Sequence, residues 1–154
     1  MINEKILHIA ARELGVREIK GREDNEEILK YFYEMGLSGK QLKDETAWCS
    51  AFINYVAIQS GAENTGALNA RSWLKVGTPV FDPKPGDICI LWRESRDSWK
   101  GHVGIFMEEN RHTICLLGGN QSNRVKTSWY PKRRLLGYRR LRQLPPAEQS
   151  INQF

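Results

Sequence analysis

Residues Asp44–Gly61 read DETAWCSAFINYVAIQSG, and this stretch decides the fold. Asp44, Glu45 and Thr46 are good N-terminal capping material, and Ala51, Phe52, Ile53, Tyr55, Val56, Ala57 and Ile58 follow almost without a polar break. A helix that is apolar on nearly every side is a buried one. Cys49 falls in its first turn, where unpaired backbone N–H groups and the positive end of the helix dipole favour a thiolate. The pattern predicts a core helix that carries a reactive cysteine.

Upstream, Glu4–Leu14 reads as an amphipathic helix with Ile6, Leu7, Ala10, Ala11 and Leu14 as its stripe, stopped by Gly15. A second helix is expected from about Asn25, as its cap, to Met35, with Ile28, Leu29, Phe32 and Tyr33 inward and Gly36 as its stop. Downstream of the cysteine helix, Ala67–Val76 reads as a short helix bearing Arg71, Ser72 and Trp73. The run TPVFDPKPGD from Thr78 then rules out regular helix. Strands follow at Asp87–Trp92, His102–Glu108, His112–Leu117, Arg124–Trp129 and Leu136–Leu141. Helices first and about five antiparallel strands afterwards make an α+β fold. Residues 1–144 read as a single domain and 145–154 as a polar tail.

The formal charge of +5 is unevenly spread. Residues 67–154 hold 15 basic and 7 acidic side chains, against 8 and 11 in residues 1–66. Such a basic half suits an anionic polymer or is a solvated face. Three widely separated cysteines form no CxxC pair, so neither a disulfide framework nor a zinc ribbon is indicated. With three scattered histidines, no metal and no cofactor is expected. The sequence carries no secretory signal, no membrane-length apolar run and no nucleic-acid reader motif.

Chemistry converges through the hairpin His102–Leu117. A link centred on Asn110, in a left-handed conformation, sets Phe106 against Ile114 and His102 against Gly118. Asn120 is then a diagonal neighbour of His102, roughly 7–8 Å away. A bulge within Leu117-Gly118-Gly119 would shift that partner by one residue. Cys115 falls on the face opposite His102 and Cys89 lies mid-strand, so both read as small buried hydrophobes. His8 and His112 lack a comparable setting. Cys49, His102 and Asn120 make a Cys/His/Asn set of the kind used for nucleophilic acyl transfer, and on the residues alone a structural cysteine is an equal alternative.

DETAWCSAF, PKPGDICILWR, GHVGIF and LGGNQSN, in this order, resemble the NlpC and CHAP-type papain-like cysteine peptidases and amidases of bacterial and phage cell-wall hydrolases. The resemblance runs from about Glu4 to Leu141. It implies Cys49 as nucleophile, His102 as base and Asn120 as the residue that orients the imidazole. Ala47 stands where this group often has proline, and an amide stands third where many NlpC-type members have histidine. The implied substrate is peptidoglycan, cut within the stem peptide or at the sugar–peptide amide, with Trp48, Ser50, Arg71, Trp73 and Trp99 as candidate groove residues. A monomer acting at the cell wall or periplasm is expected, brought there by a phage or secretion apparatus, with an immunity or delivery protein as a further partner; otherwise it stays cytoplasmic. The competing readings are a non-enzymatic binder of anionic wall polymer and a cysteine deamidase or acyltransferase acting on a protein.

Overall fold

The computed structural model describes residues 1–18, 26–37 and 48–148. Three helices come first: α1 (Ile2–Ala11), α2 (Glu26–Glu34) and α3 (Trp48–Gln59). The short helix expected over Ala67–Val76 is a 3₁₀ helix over Ala70–Lys75. Six strands follow: β1 (Thr78–Val80), β2 (Ile88–Trp92), β3 (Gly101–Glu109), β4 (Thr113–Gln121), β5 (Arg124–Pro131) and β6 (Leu135–Arg140). They form one antiparallel sheet in the order β1-β6-β2-β3-β4-β5. The architecture is α+β, with one strand more than the sequence suggests. That strand is β1, a three-residue edge strand inside the proline-rich run, where Pro79 can sit because an edge strand spares one row of N–H donors. The expected caps Asn25, Asp44, Glu45 and Thr46, and the end of the polar tail, lie outside the described residues.

Helix α3 is the centre of the core. Every residue from Trp48 to Ile58 is buried, as the lack of a polar face requires. One side meets α1 and α2, where Tyr31 stacks against Trp48 (ring centroids 6.4 Å) and packs edge-on against Phe52 (5.3 Å). The other side meets β3 and β4. Along β2, Ile88 and Ile90 join this core, while Cys89 and Leu91 point to the opposite face, with Phe106, Ile114, Leu116 and Tyr138. Burying each large aliphatic or aromatic side chain contributes about 1.5–3 kcal/mol. Stability therefore concentrates where α3 meets the sheet.

The register of the β3–β4 hairpin differs from the expected one. Its link is Asn110–His112, and Met107 bulges, so Phe106 opposes Leu116 instead of Ile114. Asn110 is not left-handed; its Oδ1 accepts the backbone N–H groups of His112 (3.0 Å) and Thr113 (2.8 Å), closing the turn by side chain. Where β4 passes under α3, a side chain would not fit. A Cβ on Gly119 would lie 2.7 Å from the Phe52 Cβ and 2.9 Å from the Trp48 ring. The missing side chain of Gly119 thus lets strand and helix backbones come close.

Candidate active site

Cys49 is the second residue of α3, and its side chain is only 3% exposed. His102 is the second residue of β3 and is 8% exposed. Both open onto one cleft of about 300 Å³, lined besides by Arg93, Asn120, Asn123, Tyr130 and Arg134. The three cysteines are all free thiols, and Cys49 alone lines this cleft. Cys89 and Cys115 are buried in the sheet.

The imidazole is held by Gln121. His102 Nε2 lies 2.9 Å from Gln121 Oε1, and the amide is itself fixed, donating to the carbonyls of Leu116 (3.2 Å) and Lys126 (2.6 Å). Because both acceptors are backbone oxygens, the NH₂ must face them and the oxygen must face the histidine. An amide oxygen only accepts, so the neutral imidazole carries its proton on Nε2 and its lone pair on Nδ1. The hydroxyl of Tyr130 lies 3.2 Å from the same Nε2, and its ring packs against the imidazole (centroids 5.1 Å).

This arrangement corrects the expected partner. Asn120 does line the cleft, but the side chain on His102 Nε2 is that of Gln121. Asn120 adopts φ 58°, and the β4–β5 ladder is irregular between Gly118 and Gln121. A left-handed residue breaks the strict alternation of side chains, so the next residue comes to the face that parity assigned to its neighbour. Gln121 is 2% exposed and folds back over Gly118, whose missing Cβ would lie 2.7 Å from Gln121 Oε1. The anticipated bulge near Gly118 was the available signal for it.

Burial sets the charge state. It pushes the Cys49 thiol above its ordinary value, with backbone N–H groups of Val103, Ser50 and Cys49 itself and the Arg93 charge opposing the rise. It lowers the His102 imidazole from 6.5 to about 4; Gln121 opposes this, and the charges of Arg134 and Arg93 add to it. Desolvation outweighs the helix terminus at Cys49, so the resting pair at neutral pH is a neutral thiol and a neutral imidazole, not the thiolate that the helix start alone suggests. Burial likewise raises the Tyr130 hydroxyl to about 12, which keeps it a neutral phenol.

The expected groove residues are placed elsewhere. Trp48 is buried and donates its indole N–H to Glu18 (2.6 Å); Trp73 is buried and donates to Ser50 Oγ (2.9 Å). Ser50 in turn donates to the Ala67 carbonyl (2.7 Å). These three are packing residues that seat α3, because their polar ends are consumed inside the protein. Arg71 staples the loop before β3, donating to the carbonyls of Lys100 (2.9 Å), Arg96 (2.7 Å) and Ser95 (3.0 Å). Trp99 sits on that loop, 66% exposed and outside the cleft lining. The lining that sequence reasoning did not assign to the site comes from Arg93 just after β2, Asn123 in the β4–β5 turn, Tyr130 near the end of β5 and Arg134 in the 3₁₀ turn before β6. Among the described residues, no group of three or more His, Cys, Asp or Glu is placed to hold a metal ion. No described helix is long and apolar enough to cross a membrane.

A cysteine at the start of a buried helix, packed on an antiparallel sheet that presents a histidine, defines a papain-like α+β fold. The CHAP domain family model matches residues 41–120, more than half of the sequence, and the chain belongs to that family. That membership points to a peptidoglycan hydrolase or amidase type of activity. No curated protein matches the sequence significantly.

Proposed function

We propose that this CHAP domain hydrolyses an amide bond of the peptidoglycan stem peptide, with Cys49 as nucleophile, His102 as base and Gln121 as the residue that orients the imidazole. The observation that carries this reading is the fixed His102–Gln121 hydrogen bond beside Cys49 in one cleft. It leaves the basic lone pair on Nδ1, the ring nitrogen remaining to take the thiol proton. As Sγ attacks the carbonyl carbon, Nδ1 receives that proton. The oxyanion is stabilised by backbone N–H groups of the first turn of α3, where each such donor contributes about 10²–10³ in rate. Nδ1–H then protonates the leaving amine as the C–N bond breaks, and a thioester remains on Cys49. A water molecule, deprotonated by His102, attacks the thioester and restores the thiol.

Because the resting pair is neutral, His102 works as a general base during attack. In this reading Asn120 stands in the cleft as a substrate-facing amide. The site of action is the cell wall, to which the protein is delivered by a phage or secretion apparatus.

The test is digestion of purified peptidoglycan by the wild type and by Cys49→Ala, with mass spectrometry of the products. New amino and carboxyl termini released by the wild type alone are expected, and their position identifies the endopeptidase or the sugar–peptide amidase. Equal release by Cys49→Ala would remove Cys49 from the mechanism.

A further inference from the structure

Among the described residues, the cleft is lined by two cations, Arg93 and Arg134, and by no acidic side chain. Neither guanidinium is paired with a carboxylate among the described residues. Glu94, next to Arg93 in sequence, pairs instead with Lys100 (2.7 Å), and Glu109 pairs with Lys132 (3.1 Å). Arg134 is nevertheless held in place. Its Nε donates to the Trp92 carbonyl (3.0 Å), and its guanidinium lies over the Tyr130 ring (5.7 Å). Among the described residues, that leaves the terminal N–H groups of its fork uncommitted. The Arg93 guanidinium makes no hydrogen bond among the described residues.

Two cations with no carboxylate partner among the described residues, beside a buried thiol and imidazole, are electrostatically costly. The Arg93 charge opposes the charge on Arg134, and both help to keep His102 neutral. A chain that needed only to solvate this face would place its arginines away from the cleft or in ion pairs with carboxylates. We infer that Arg93 and Arg134 form an anion subsite that receives a free carboxylate of the peptide substrate, next to the amide that Cys49 attacks. Guanidinium forks match a carboxylate in plane and charge, and a charged partner in a walled cleft is bound and steered more strongly than on an open surface. The inference deepens the proposed amidase reading: it selects stem peptides with that carboxyl free and disfavours the same peptides as carboxamides.

The test separates the subsite from the reaction. The rate at which Cys49 in the full chain is alkylated is followed by mass spectrometry of the Cys49 peptide, with iodoacetate and iodoacetamide as probes at low salt. The two reagents differ in a carboxylate against a carboxamide. The expected iodoacetate-to-iodoacetamide rate ratio is about tenfold higher in the wild type than in Arg93→Gln or Arg134→Gln. Arg134→Lys, which keeps the charge, should retain most of the preference. If Arg134→Gln fails to fold, Arg93→Gln decides, since the structure gives that guanidinium no hydrogen bond to lose. An unchanged ratio in Arg93→Gln overturns the subsite, even if peptidoglycan is cleaved. A ratio that falls as expected in a protein that cleaves no peptidoglycan supports the subsite and overturns the amidase reading. No alkylation of Cys49 by either reagent overturns the subsite, because the thiol then does not open onto the arginines. With active protein, synthetic stem peptides bearing the carboxyl free or amidated should show the same preference in kcat/KM, and equal values for the two would count against it.

Discussion

At the scale of single residues, the site turns on which amide holds His102. Gln121 meets the imidazole at 2.9 Å with its own NH₂ tied to two carbonyls, so its oxygen cannot rotate away. Asn120 lines the cleft at a left-handed turn of backbone. Substituting Gln121 by Ala leaves two backbone carbonyls without their side-chain donor and frees the imidazole to rotate. General acid–base catalysis contributes about 10²–10⁴ in rate, and a share of that depends on a fixed ring. The expected result is a fall of about 10²-fold in kcat for Gln121→Ala with KM changed far less, and a smaller kcat loss for Asn120→Ala. Steady-state kinetics on a soluble stem peptide read this directly. The reverse order, with Asn120→Ala the slower enzyme, would return the orienting role to Asn120. That Cys49, of the three cysteines, reaches the cleft was legible in the sequence, because a helix start differs from the mid-strand settings of Cys89 and Cys115. Gln121 was not, because side-chain alternation along a strand fails at a single left-handed residue.

At the scale of elements, the proposed catalytic geometry depends on how closely α3 and β4 approach. Cys49 rides on α3, and Gln121 ends β4. Gly119 lies where the two touch, with Phe52 and Trp48 filling the space a methyl group would need. Neither neighbour can easily yield: both are fully buried, and Trp48 is tethered by its hydrogen bond to Glu18. Gly119→Ala must therefore separate helix and strand. Overpacking of this kind costs about 1–3 kcal/mol, and it moves the thiol relative to the His102–Gln121 pair. Urea denaturation should show that loss of stability, and the remaining folded protein should turn over substrate at least tenfold more slowly, as a misplaced catalytic group does. A stable, fully active Gly119→Ala protein would mean that the close approach has no part in the geometry. The motif LGGNQ shows the glycines but not what they face; Trp48 and Phe52 lie about seventy residues earlier, and only the folded chain brings them over Gly119.

At the scale of the whole molecule, the order of helices and strands was readable because it rests on local periodicity, and the buried α3 was readable because it has no polar face. The cleft wall was not, since Arg93, Tyr130 and Arg134 reach Cys49 through a sheet order that sequence does not reveal. Enclosing an imidazole in that wall has a consequence for folding. His102 has an ordinary value of 6.5 when unfolded and about 4 when folded, chiefly because burial disfavours its charged form. Between those values the unfolded chain binds a proton that the folded protein refuses, so stability falls as the pH drops from 6.5 to 4, and falls no further from this source below that. Asp87 acts in a different range: burial opposes its charge, but hydrogen bonds from Arg140, the Lys84 N–H and Asn3 hold its carboxyl below 3.8. Its contribution is therefore lost only as the pH falls below that value. Comparing urea denaturation at pH 7 and pH 4.5 isolates the histidine. The wild type should lose about 2–3 kcal/mol more between the two than His102→Gln does, which follows from the size of the shift. Equal losses in the two proteins would mean that His102 titrates in the folded state much as it does in the unfolded chain, and the neutral resting pair would have to be given up.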